Sequence, residues 1–239
     1  MKPDIVIKKS AEEIIEAAAE YFKNFVADTE NKKNIMLSGG NTPKLLFKNI
    51  VDCYSSKIGW EKINFWWGDE RCVPPTHKDS NYGMAKEYLI DKILIPGKNI
   101  FRIRGEADPK IEAQIYGDLM EELLPKHNGI PQYDLVYLGI GEDGHTASIF
   151  PDNIELFNSN FNCLTTIHPE SKQQRISISG KIINNAKNVF VLITGKNKAK
   201  TVEEILNHRQ ESINYPAALV NPVNGKYIWY LDKEAASLI

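Results

Sequence analysis

Residues 134–151 read DLVYLGIGEDGHTASIFP, a run that joins an apolar strand, a glycine-rich turn and a histidine suited to acid/base work. Leu135, Val136, Leu138 and Ile140 make a nearly continuous apolar stretch, the pattern of a central parallel strand covered on both faces. Gly139, Gly141 and Gly144 break it. Glycine admits positive φ and lets a ligand come close to backbone N–H groups. Asp143 and His145 sit on that turn, at the carboxyl end of the strand, where open α/β sheets bind ligands. A carboxylate two residues ahead of an imidazole can orient the ring and set its tautomer, as a general base requires.

Two earlier apolar runs deliver loops to the same sheet edge. Ile35, Met36 and Leu37 lead into SGGNTP (38–43), with Thr42 expected as N-cap and Pro43 at the first position of a helix ending near Cys53. A strand, a Gly-Gly turn and a helix N-terminus together favour an anion such as phosphate. The motif is neither a Walker A loop nor GxGxxG. Ile63 to Trp67 is the next strand and is followed by Gly68, Asp69, Glu70 and Arg71, three adjacent charges at a strand end. Asp79-Ser80-Asn81 should turn and cap a helix from Tyr82 to about Leu89, while His77 reads as a solvated loop residue.

Elsewhere, Ile5–Ile7 is expected to be a strand, and Ser10 with Glu13 to form a capping box opening a helix whose apolar side holds Ile14, Ala18, Tyr21, Phe22 and Phe25. Ile100–Ile103 reads as a short strand. Asp108-Pro109 should start a long helix with Ile111, Ile115, Leu119, Leu123 and Leu124 facing the core. Cys163–Ile167 and Arg175–Ser179 read as strands; serines alternating with Ile176 and Ile178 predict one solvated face and an antiparallel addition to the sheet. Val189–Ile193 leads into TGKNKAK, which places Lys198 on the first turn of a helix bearing Val202, Ile205 and Leu206. A lysine there opposes the helix dipole, a local cost that a bound anion would offset. Ala217–Val220 and Tyr227–Leu231 are expected as two short strands.

The 239 residues, 42% hydrophobic and 25% charged, suffice for one large domain over 1–239. A formal net charge of -2 argues against a nucleic-acid binder. Cys53, Cys72 and Cys163 are widely spaced and odd in number, which fits neither a zinc site nor a disulfide framework and points to the cytoplasm. No run has the length of a membrane span, and the N-terminal apolar run is too short for a signal peptide.

Taken in order, SGGNTP at Ser38, GDERCVP at Gly68, DSN at Asp79, GIGEDGHTASIFP at Gly139, RIS at Arg175 and GKNKA at Gly195 resemble the 6-phosphogluconolactonase family. The match spans nearly the whole chain, and DGHTAS-x-FP is its most specific piece. The resemblance implies an α/β fold with a Rossmann-like, mostly parallel sheet, helices on both faces and a small antiparallel addition. It casts His145 as catalytic base and Asp143 as its neighbour. Ser38, Gly39, Gly40 and Thr42 become the phosphate-side loop, Asp69 belongs to the substrate site, and Arg71, Arg175 and Lys198 become anion contacts. The implied reaction is hydrolysis of 6-phospho-D-glucono-1,5-lactone to 6-phosphogluconate, with no cofactor or metal, by a monomer or homodimer. The alternative is a glucosamine-6-phosphate deaminase or related isomerase. Such enzymes tend to follow the aspartate-glutamate pair with tyrosine and to continue DGH toward Asn-Glu-Pro, whereas here Arg71 follows Glu70 and Ala147-Ser148-Ile149-Phe150-Pro151 follows DGH-Thr.

Overall fold

In the computed structural model, which describes residues 1–27 and 31–239, helices and strands alternate through the first half of the chain. They are β1 (Asp4–Lys8), α1 (Ala11–Ala27), β2 (Lys33–Leu37), α2 (Asn41–Tyr54), β3 (Ile63–Trp67), β4 (Asp69–Arg71), α3 (Asn81–Tyr88), β5 (Ile100–Phe101) and α4 (Pro109–Leu123). A two-residue pair, β6 (Lys126–His127) and β7 (Ile130–Pro131), precedes β8 (Leu135–Leu138). The remainder comprises β9 (Cys163–Ile167), β10 (Gln174–Ile178), α5 (Gly180–Asn184), β11 (Asn188–Ile193), α6 (Ala199–Leu206) and β12 (Lys226–Asp232).

Seven strands form one sheet in the order β1-β12-β11-β8-β2-β3-β5, with every neighbouring pair parallel. The apolar run of β8 is central, as its composition requires, and Leu135 to Leu138 are buried throughout. Successive strand residues face opposite sides of a sheet. In β3, Phe65 meets Trp60, which packs on Phe22 of α1, while Trp66 meets Tyr116 of α4 edge-on with centroids 5.9 Å apart. Helices α1 and α4 therefore cover opposite faces.

Capping follows the sequence at three sites, the first being Ser10, whose hydroxyl accepts from the Glu13 N–H at the start of α1. Ser80 accepts from the Gly83 N–H, and the Asp108 carboxylate accepts from the N–H groups of Lys110 and Ile111. At α2 the expected cap is corrected. The helix begins one residue before Thr42, at Asn41, and Gly40 holds the N-cap with φ 100°. The Thr42 hydroxyl instead lies 3.1 Å from that of Thr194 and ties the loop to the end of β11.

The expected antiparallel addition is present: β9 and β10 pair with β4 in a small three-stranded antiparallel sheet separate from the parallel one. Three further expectations are corrected. The serine face of β10 is buried, with the Ser177 hydroxyl donating to the Ile178 carbonyl and accepting from the Ser148 N–H. Residues Pro216–Leu219 form a 3₁₀ turn where a strand is predicted over Ala217–Val220. On α4 the core face is Glu112, Ala113, Tyr116 and Met120; Ile111, Ile115 and Leu123 point outward. Glu112 is held inside because its carboxylate accepts from the Arg104 N–H and pairs with the Arg104 guanidinium at 3.3 Å.

Candidate active site

Four parallel strands, β2, β3, β8 and β11, end at one edge, and their following loops enclose a cavity of about 500 Å³. That volume suits a small-molecule ligand. Ser38, Gly39, Gly40, Thr42, Asp69, Arg71, His145, Arg175 and Lys198 all line it. Asp143 stands just behind His145.

The turn after β8 is built around close approach. Asp143 Oδ1 lies 2.6 Å from His145 Nδ1 and also accepts from the His145 backbone N–H at 3.1 Å. With Nδ1–H donating to the carboxylate, Nε2 keeps its lone pair. Burial acts to raise the Asp143 carboxyl, but the hydrogen bonds and charge of His145 outweigh it and hold the group below its usual value. A Cβ at Gly141 would collide with both side chains, so this pair needs glycine there. Gly144, at φ 81°, lies under the Tyr215 ring and its carbonyl accepts from the Ala217 N–H. The Thr146 hydroxyl donates to the Gly139 carbonyl, closing the turn back on its strand.

The loop after β2 presents orphan donors. Helix α2 has no intrahelical acceptors for the N–H groups of Asn41 and Thr42, and Pro43 contributes none. Gly39 leaves room for the Asn81 side chain, which donates to the Asp69 carbonyl. Asn81 thus belongs to the cavity wall as well as to the start of α3, although its sequence setting announces only a turn.

The charged cluster after β3 divides into three roles. Glu70 is structural: its buried carboxylate accepts from the N–H groups of Arg71, Asn81 and Tyr82 and from the Ser80 hydroxyl. Burial pushes its pKa up, and those four donors offset part of the rise. The buried Asp69 accepts from the Ser148 hydroxyl at 2.7 Å. Arg71 enters the cavity, steadied by a 2.7 Å bond to the Asp79 carbonyl, and faces Arg175 across the β4–β10 register. Burial, then the Arg71 charge, press Arg175 below the usual arginine value.

Lys198 ends a 3₁₀ turn (Lys196–Lys198) and occupies the N-cap of α6, so it precedes the helix where the sequence places it in the first turn. Burial lowers its pKa, against the pull of Glu142 and Asp143. Asn197 also lines the cavity and bonds Glu142, a contact between distant loops that the sequence pattern does not announce. A wall of this kind, with three cations, free backbone donors and one oriented imidazole, can hold an anion and move a proton beside it.

The family model for glucosamine-6-phosphate isomerases/6-phosphogluconolactonase matches residues 9–229. The chain belongs to this family. It is 44% identical over 207 residues to the 6-phosphogluconolactonase of Haemophilus influenzae, covering 86% of this chain and 87% of that protein. Its fold matches the crystal structure of devB protein with a TM-score of 0.93 at 39% identity, covering 99% of this chain and 100% of that one. The Trypanosoma brucei 6-phosphogluconolactonase matches with a TM-score of 0.85 at 29% identity, covering 99% and 98%.

Proposed function

We infer that the chain is a 6-phosphogluconolactonase that hydrolyses 6-phospho-D-glucono-1,5-lactone to 6-phosphogluconate, with residues 1–239 forming a single domain that works in the cytoplasm. The observation that carries this reading is the 2.6 Å Asp143–His145 pair set beside a cation-lined cavity that can hold a phosphate. The family description covers deaminases as well, so the fold alone does not choose. The choice rests on the 44% identity to a lactonase and on Arg71 following Glu70.

In the proposed reaction the lactone phosphate lies at the start of α2, against the Asn41 and Thr42 N–H groups, with Lys198 and the Arg71–Arg175 pair supplying countercharge. Binding there fixes the lactone carbonyl near His145, so energy from the remote phosphate serves orientation. His145 Nε2 removes a proton from water as the water oxygen attacks the carbonyl carbon. Collapse of the tetrahedral adduct breaks the bond to the ring oxygen, which takes the proton from the imidazolium. Asp143 stays ionised and stabilises the imidazolium.

A paired assay tests this. Acid release from freshly generated 6-phosphogluconolactone, corrected for spontaneous hydrolysis, should be accelerated, and ammonia release from glucosamine 6-phosphate should not. Ammonia production without lactone hydrolysis would overturn the reading.

A further inference from the structure

On α4, Ile111 is 60% exposed and Ile115 43%. Beside this helix runs a groove of about 520 Å³ between α4 and β9, with Ala113, Gly117, Leu156 and Cys163 among its walls. Phe161, 72% exposed, also lines it. The groove shares no residue with the candidate active site. Single exposed apolar residues are ordinary on a protein surface, but Phe161 in the groove together with Ile111 and Ile115 on the adjoining exposed side of α4 mark a contact face.

The polar residues of the same face identify the occupant. Lys110, Gln114 and Asp118 line the groove at intervals of four, so they form one row along α4, with Ile111 and Ile115 in the adjacent row. Lys110 and Asp118 lie at equal distances either side of Gln114, carry opposite charges, and belong to no ion pair among the described residues. A two-fold axis through Gln114 would lay two α4 helices antiparallel and set each Lys110 against an Asp118. Because Gln114 and the exposed Phe161 line the same groove, that operation turns the groove of one copy toward its equivalent in the other, the self-complementarity that an isologous contact demands.

We propose that the α4–β9 face is the two-fold interface of a homodimer, with Phe161 of each copy seated in the groove of the other and two Lys110–Asp118 pairs at its ends. A helix of 15 residues is about 22 Å long, which makes the contact a small one and the dimer concentration-dependent.

Sedimentation equilibrium of the full chain between about 1 and 200 µM tests this, a range chosen for a micromolar dissociation constant. The wild type should pass from monomer to dimer. Phe161→Glu should raise the dissociation constant at least about thirtyfold, the loss typical of a central aromatic anchor. Lys110→Glu and Asp118→Lys should each weaken the dimer, and the double exchange should recover it, because the swapped charges again meet across the axis. All variants should keep the wild-type circular dichroism, since the altered side chains are outside the core. A wild type that stays monomeric throughout, a dimer indifferent to Phe161→Glu, or a double exchange no tighter than either single reversal would overturn the proposal.

Discussion

Arg71 and Arg175 stand opposite one another in the antiparallel register of β4 and β10, and each keeps a buried Nε without a hydrogen-bond partner. Two like charges held together in a half-buried site are costly unless an anion lies between them. Arg175→Gln should therefore weaken binding of 6-phosphogluconate by roughly 10- to 150-fold, from about 1.5–3 kcal/mol for a hydrogen bond to a charged group. The ligand-free variant should melt no lower than the wild type, because repulsion is relieved. Calorimetry of binding and of unfolding reads both, and a lowered melting point with unchanged affinity would make Arg175 a structural residue.

Gly141→Ala should cut turnover by about a hundredfold, the order expected when a catalytic group is displaced by an ångström. The added carbon meets the His145 ring and the Asp143 carboxylate, whereas one at Gly139 meets nothing within 4 Å. Gly139→Ala is thus the control and should lose far less. Comparable kcat values for the two variants would show that the close approach at Gly141 does not matter.

His145→Asn should leave a folded protein that still binds 6-phosphogluconate while losing about 10²- to 10⁴-fold in turnover, the usual cost of removing a positioned base. Asparagine keeps hydrogen-bonding capacity but cannot accept and return a proton near neutral pH. Turnover within a fewfold of wild type, after subtraction of spontaneous hydrolysis, would remove His145 from the role of base.

Lys198→Ala should weaken binding of the phosphorylated lactone by about 1.5–3 kcal/mol and that of an unphosphorylated lactone by less. Inhibition constants for matched ligands with and without phosphate give the comparison. Equal losses would mean that Lys198 does not contact the phosphate.

His168, which sequence inspection passes over, packs edge-on to Phe150 with ring centroids 5.0 Å apart, and Phe150 in turn lies 4.9 Å from His145. Its Nδ1 accepts from the N–H groups of Glu170 and Ser171, so the ring is held neutral. Burial, then the charges of Arg175 and His145, lower its pKa. The unfolded chain consequently binds the extra proton more readily. His168 contributes stability above the ordinary histidine value of about 6.5, and the contribution is lost as pH falls through the lower folded value. His168→Gln should flatten the acid side of a plot of melting temperature against pH; an unchanged slope would contradict this.

The parallel sheet and most of the site could be read from sequence because both rest on short-range chemistry. The apolar run before Gly139 and the glycines of SGGNTP and DGH each specify their own backbone path. What escaped depends on partners distant in the chain. Ile111 and Ile115 have helical spacing but lie outside, since Arg104 holds Glu112 in and Tyr116 reaches the Trp67 carbonyl. Ser177 of β10 can be buried because the Ser148 N–H supplies it a donor and the Ile178 carbonyl an acceptor. Residues Pro216–Leu219 are apolar over a span too short for periodicity to separate strand from 3₁₀ turn. Asn81 joins the cavity only once α3 has folded against the loop at Gly39.

Strand β12 lies between β1 and β11, although it comes after every residue lining the candidate active-site cavity. A chain emerging from the ribosome can pair β2, β3, β8 and β11 before β12 exists, but β1 has no strand to join until residues 226–232 are made. Synthesis at about 5–20 residues per second leaves β1 waiting for roughly ten seconds or more, with one edge of the nascent sheet open to association with other chains.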